Sequence, residues 1–439
     1  MKTFLVNILL LLALSNMCHT KILRETPSSA PSESRSPRNI IISLLVGTTF
    51  TDGYIDLSRK NESIYYTYWR NKAKNPNAPL IIGNPGGPGV TVQDLIFVAN
   101  GPLARLSSLF QKDWHSYLEF ADVLLPSIPA GTGFSLAGDY NLTIPDMLSD
   151  CNEFFANLAI EENSILNKNR EIILYGTSYG VSILSSVGVN LIQNGFKVKG
   201  IYFDSPWVDP QAAVEKFPQI MRDYGVISGE KLEYWTGESE KCLEAIKGEK
   251  GEFSMEDGRR CDQLYNGSGP YKRGVLGLED RNGYNLKPGN WGYGVFYPLL
   301  LKLGDWFWNL GVLSWIFTGR KKAEDWNQQV YDNFQVLNYN YNGYKQDLFK
   351  LLDLGINMSV VNGHFDGITN PMITREWLMS YDNFFDGKWD SLDWSTTKYG
   401  KKRVYKNFSY ELIDDAGHFV GQNNYYVTYE KIKELADSI

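Results

Sequence analysis

The stretch Glu171–Val181, "EIILYGTSYGV", decides the fold. "EIIL" is a short apolar run with the β-branched content of a strand. Directly after it, Ser178 stands between Gly176 and Gly180 at the spacing G-x-S-x-G. The residues beyond, "YGVSILSSVGVNLIQNG", repeat apolar side chains at helical spacing and stop at Asn194-Gly195. Strand, sharp turn and helix in that order expose a serine hydroxyl. The glycines let the backbone reverse, and the helix N-terminus faces developing negative charge. Small residues flank serines often, so the motif draws its force from this context.

Outward from this point the same form recurs. "APLIIGN" (78–84), "ADVLLPS" (121–127) and "VKGIYFDSP" (198–206) are apolar runs ending at turn residues, as buried parallel strands do. Upstream, "IISLLVG" (41–47), "GYIDL" (53–57) and "SIYYTYWR" (63–70) also read as strands. From about Trp207 to residue 330 the texture turns to charge, glycine and tryptophan and loses the strand-then-helix beat. Strand signals return at "INMSVVNG" (356–363) and "FSYELIDDAG" (408–417). The expectation is an α/β protein with a mostly parallel central sheet flanked by helices. Its core covers residues 40–206 and 331–439, and an insertion or cap subdomain occupies 207–330.

At 439 residues the chain has room for such a domain with its insertion. A net charge of −7 and the absence of a Lys/Arg block argue against a nucleic-acid or anionic-membrane surface. Residues 1–20, "MKTFLVNILLLLALSNMCHT", join one lysine to a leucine-rich core and then small and polar residues. That is the pattern of a secretory signal peptide, and the apolar run is short for a membrane anchor. Residues 21–39 are Ser/Pro-rich and read as a flexible tail or propeptide. The best later span, "VFYPLLLKLGDWFWNLGVLSWIF", is interrupted by Pro298, Lys302 and Asp305, so no stable membrane span is expected. The expected location is the secretory pathway, ending outside the cell or in a lysosome- or vacuole-like compartment. In that setting Cys242 and Cys261, which close a short loop, are expected to pair, leaving Cys151 buried or free. N-x-S/T triplets at Asn61, Asn141, Asn266, Asn357 and Asn407 are compatible with glycosylation. No metal or other cofactor is expected, since there is no CxxC and no HExxH. The oligomeric state is not legible.

A nucleophilic serine needs a base. Beyond the leader the histidines are His115, His364 and His418. His418 follows a strand-like run near the chain end, and the order Ser, acid, His is that of α/β-hydrolases. The acid then falls between them, where "SVVNGHFDGITN" offers Asp366 in a glycine-bearing turn. Such an aspartate fixes the imidazole tautomer so that His418 can take the Ser178 proton. In isolation Asp366 reads as a turn former and His418 as a surface histidine; the order and context of all three favour the catalytic reading. His364 reads as a neighbour of the site. In "NPGGPG" (84–89) two glycines after a buried strand free backbone N–H groups for an oxyanion hole, with Gly87 and Tyr179 as the expected donors. A phosphate loop fits poorly, because prolines remove donors and no Lys-Ser/Thr follows.

Together these residues resemble the serine carboxypeptidase family of secreted or lysosomal α/β-hydrolases, which remove C-terminal residues from peptides. The resemblance runs from about Phe50 to the C-terminus. It rests on "GNPGGPGV…NGP", "PAGTGFS", "YGTSYG", "GIYFDSPWVDP", "VNGHFDGITN" and "NFSYELIDDAGHFV". Proline-specific aminopeptidases share a GGPG and a GxSxG but fit the acid and histidine segments less well. The departures concern substrate selection. The resemblance implies an asparagine and two glutamic acids that grip the substrate's terminal carboxylate. At those three positions this chain has Pro85, Ala99 and Thr177, and the proline ending the histidine signature is Gly421. The expected function is therefore a carboxypeptidase-like hydrolase that cleaves peptides through an acyl-enzyme on Ser178, with atypical selection of the C-terminus. The rivals are an acyl hydrolase or acyltransferase for esters or blocked ends, and a non-catalytic binding protein. The substrate is a peptide or other acyl compound, and rings from Trp306 to Trp315 either line the cleft or pack the core.

Overall fold

The computed structural model describes residues 39, 43, 47–92, 95–96, 100–104, 115–248, 252–266, 283–288 and 327–438. The leader, most of the Ser/Pro-rich tail, Ala99 and the Trp306–Trp315 stretch lie outside them. The strands are β1 (Phe50–Asp56), β2 (Ser63–Trp69), β3 (Leu80–Asn84), β4 (Asp122–Pro126), β5 (Glu171–Thr177), β6 (Lys197–Asp204), β7 (Asn357–Gly363), β8 (Ser395–Thr396), β9 (Gly400–Tyr405) and β10 (Phe408–Ile413). They form one sheet in the order β1-β2-β4-β3-β5-β6-β7-β10-β9-β8. The six from β4 to β10 run parallel. β1 and β2 pair antiparallel at one edge, and β9 and β8 at the other. This is the α/β-hydrolase fold with an inserted subdomain.

The inner strands β3, β4 and β5 are largely apolar because both sheet faces are covered there. Successive side chains point to opposite faces. Ile172 and Leu174 of β5 accordingly join one apolar layer with Ile82, Leu124, Ile201 and Val360. Ile173 and Tyr175 join the opposite layer with Ile81, Val123, Tyr202 and Val361. Helix α1 (Ile144–Glu161) and helix α2 (Tyr179–Gln193) cover the first layer. A reciprocal capping box starts α1, with Thr143 accepting from Asp146 N and Asp146 from Thr143 N.

Of "IISLLVG" only Ser43 and Gly47 are described, and Ser43 departs from the expected strand. Ser43 lies in a helical turn and its hydroxyl accepts the Phe50 N–H at 3.0 Å. Periodicity does not separate short apolar runs into strand and helix.

The insertion begins with three helices, α3 (Pro210–Asp223), α4 (Gly229–Ile246) and α5 (Met255–Asn266). Asp209 caps α3, accepting from Ala212 N at 3.1 Å, and Pro210 takes the first helical position, where no N–H is needed. The Cys242–Cys261 disulfide ties α4 to α5, and Cys151 is free and buried. The bond spans 19 residues and restricts the unfolded chain. Replacing both cysteines with serine is expected to lower stability by about 2–4 kcal/mol in urea unfolding. Among the described residues no helix is long and apolar enough to cross a membrane.

Candidate active site

Ser178 directly follows β5 and precedes α2, with φ 55° and ψ −127°. A non-glycine residue there is strained and persists because its surroundings hold it. Its N–H donates to Asp204 O at 3.0 Å, and its carbonyl accepts from Val181 N at 3.1 Å and Trp207 N at 3.2 Å. The flanking glycines are explained by contact. A Cβ on Gly180 would stand 2.3 Å from Asn84 O, and one on Gly176 3.0 Å from the Val181 backbone. The hydroxyl-bearing turn therefore packs directly on the end of β3.

β5, β7 and β10 point the same way, so the turns after them share one edge of the sheet. Asp366 follows β7 and is fully buried, and His418 follows β10 and is 2% exposed. His418 Nδ1 lies 3.0 Å from Asp366 Oδ2. Four donors surround the carboxylate. Ile368 N and Thr369 N donate to Oδ1 at 2.8 and 3.0 Å, while the Thr369 hydroxyl donates to Oδ2 at 2.6 Å beside the imidazole. Burial alone would raise the carboxyl pKa. His418 and these donors outweigh burial and lower it, so Asp366 is an anion at neutral pH. Asn370 Nδ2 donates to Asp366 O at 2.6 Å and fixes the turn. The close approach of the two turns needs Gly363, whose Cβ would stand 2.1 Å from Gly417 O.

The loop after β3 reaches the other side of the serine. Gly86 has φ 99°, and a Cβ on it would stand 2.5 Å from Thr177 O and 2.9 Å from Tyr179 N. Gly87, φ 109°, follows it at the half-exposed lip. Tyr179 opens α2, and the first N–H groups of a helix have no partner within it. The Tyr179 phenol points elsewhere, meeting Tyr344 OH at 2.7 Å in the core. Pro85 is half-buried at the same loop, and Thr177 is buried with its hydroxyl on the Tyr175 phenol.

Several contributors were not legible in the sequence. Residues 283–288, from inside the insertion, lie across the acid and histidine turns. His418 N donates to Tyr284 O at 2.7 Å, Gly367 N to Gly283 O at 3.0 Å and Leu286 N to Phe365 O at 2.8 Å. Asn327, where the chain returns from the insertion, donates its N–H to Gly89 O at 3.0 Å and its amide to Gly131 O at 2.8 Å. Asn84 accepts Gly86 N–H at 3.0 Å and donates to Ile128 O at 3.1 Å, so both ends of its amide are engaged in holding the loop. Asp204, at the end of β6, is buried beside these turns; a charged letter closing "IYF" was the available signal.

The other histidines stand apart. His364 is exposed against Tyr224 and Phe365, and His115 stacks on Tyr429 with Glu119 3.2 Å from its Nδ1. Asn61, Asn141 and Asn357 are exposed, whereas Asn407 is half-buried and donates to Ile356 O at 2.6 Å. Among the described residues no group of three or more His, Cys, Asp or Glu could hold a metal ion.

Sheet order, the serine elbow and the buried His–Asp pair define an α/β-hydrolase. The serine carboxypeptidase family model matches residues 45–437, and the chain belongs to that family. It is similar to the pheromone-processing carboxypeptidase of Phytophthora infestans, with 23% identity over 82% of this chain and 64% of that protein. It thus spans just under two thirds of that relative's length. The serine carboxypeptidase-like 49 protein of Arabidopsis thaliana is 24% identical over 84% of this chain and 73% of its own length. Among solved structures, the prohormone-processing carboxypeptidase from Saccharomyces cerevisiae superposes with a TM-score of 0.68 at 17% identity. That match covers 89% of this chain and 91% of the other, and establishes likeness of fold.

Proposed function

We propose that this protein is a carboxypeptidase-like serine hydrolase that cleaves peptides through an acyl-enzyme on Ser178, with altered selection of the substrate's C-terminus. The observation that carries the proposal is the strained Ser178 elbow at the same sheet edge as the buried His418–Asp366 pair. In this reading His418 takes the Ser178 proton as the oxygen attacks the acyl carbon, then passes it to the leaving amine. Asp366, an anion with four donors, holds Nδ1 protonated and stabilises the imidazolium. The N–H groups of Gly87 and Tyr179 receive the oxyanion of the tetrahedral intermediate. Water then repeats the sequence on the acyl-enzyme and regenerates Ser178. We also propose residues 1–20 as a signal peptide, 21–39 as a tail or propeptide, and 207–330 as the cap. The protein would then act along or beyond the secretory pathway.

The altered selection rests on Pro85, Ala99 and Thr177. A carboxylate leaving water needs donors in return. Pro85 and Ala99 have no side-chain donor, and Asn84 next to Pro85 already has both ends of its amide in use. Each lost charge-assisted hydrogen bond removes about 1.5–3 kcal/mol of selection for a free carboxylate. This favours, as a second reading, a hydrolase or acyltransferase for esters, amides and blocked ends.

The test is a mass-spectrometric assay on N-blocked peptides with free, amidated and methyl-esterified C-termini. Rates for the free acid and the amide are expected within about tenfold of each other. KM for the free acid is expected to stay flat from about pH 5 to 7, because no raised carboxyl pair has to be protonated to bind it. A free-acid preference above a hundredfold, or a KM rising steeply over that range, would overturn the altered selection.

A further inference from the structure

Asp204 sits where three turns meet. It is paired in register with Thr177 of β5 on one side and Val361 of β7 on the other. Its backbone carbonyl receives the Ser178 N–H at 3.0 Å, so the residue is joined to the nucleophile's turn. Its carboxyl, on a residue 2% exposed, receives the Ser205 hydroxyl at 2.9 Å and the Gly421 backbone N–H. A proline at 421 would have no N–H to give. Ser205 is held at φ 52° by its own N–H to Val361 O at 2.9 Å, which aims its hydroxyl back at the carboxyl.

We propose that Asp204 is a positioning residue of the active site, whose buried carboxyl ties the histidine turn to the ends of β5 and β6 and sets the charge that the His418 imidazole meets. The inference rests on Ser178 and His418 acting as nucleophile and base. The groups bearing on Asp204 are His418 and Asp366 from the two flanking turns, Tyr175 from β5, Tyr202 from β6 and Tyr117 from the turn before β4. Of these only His418 can carry positive charge. A buried carboxyl without a cation keeps its proton, and burial moves this one up to about 7. It therefore gains negative charge near neutral pH, on a carboxyl that bears on the His418 ring. Ionised Asp204 favours the protonated ring and opposes formation of the proton-accepting form. As pH rises, loss of the Asp204 proton slows the gain of active base, and the activity rise broadens.

The test is the rate of Ser178 labelling by a fluorophosphonate from pH 4.5 to 9, which needs no knowledge of the substrate. Wild type is expected to show a rise broader than one proton. Asp204→Asn keeps an acceptor oxygen for Ser205 but carries no charge. Its profile is expected to narrow to one proton, with the midpoint lower by about 0.5 pH unit or more. Ser205→Ala removes a donor to the carboxylate, favours its protonated form and is expected to shift the midpoint the same way by less. It serves if the first variant fails to unfold cooperatively. Identical profiles in wild type and a folded variant would overturn the proposal and leave Asp204 a structural peg. No labelling of wild type at any pH would instead overturn the nucleophile reading, and this inference with it.

Discussion

Ser178→Ala and His418→Ala are each expected to lower kcat by about 10⁶-fold, and the double variant by no more than either alone. In the proposed mechanism the two side chains serve one step. A serine hydroxyl is a poor nucleophile until a base removes its proton, and the base has nothing to activate once the hydroxyl is gone. Both variants are expected to fold. Ser178 is tied by its backbone to Asp204, Val181 and Trp207, and those bonds survive loss of the hydroxyl. His418 is likewise pinned by its N–H to Tyr284 O. Steady-state assays beside thermal unfolding check both parts. Full activity in either variant would remove the residue from the mechanism.

Asp366→Asn is expected to cost about 10⁴-fold in kcat with little change in KM. The hydrogen bonds set the direction. Oδ1 receives two backbone N–H groups, from Ile368 and Thr369, so the amide of asparagine cannot turn its NH₂ toward them. The NH₂ must then take the Oδ2 place, 3.0 Å from His418 Nδ1. A donor there requires Nδ1 to accept, which moves the ring proton to Nε2, the nitrogen that has to receive the serine proton. The ring stays in place in the wrong tautomer. A loss below tenfold would mean that Asp366 does not set the imidazole's proton.

Much of this architecture was legible before any coordinates. "EIIL", "LIIG" and "SVVN" are apolar on both faces, as strands covered on both sides are. The Cys242–Cys261 pair was legible because the two cysteines close a short loop and few other partners remain. Sheet order was not legible, and it is what makes neighbours of the turns carrying Ser178, Asp204, Asp366 and His418, which span some 240 residues of chain. The strap of residues 283–288 was hidden for the same reason. Its bonds to Gly367 and His418 are backbone contacts between residues far apart in sequence, which side-chain pattern does not encode. Asn84 and Asp204 were passed over because each reads as the last letter of a strand, and their roles appear only when their partners are seen.

The most direct measurement is rapid-quench mass spectrometry on wild type mixed with a nitrophenyl ester of a blocked amino acid. The expected result is a burst of nitrophenol matched by one acyl group per chain, mapped to the peptide carrying Ser178 and absent in His418→Ala. Turnover with no adduct at Ser178, or an adduct that forms as fast without His418, would contradict the account.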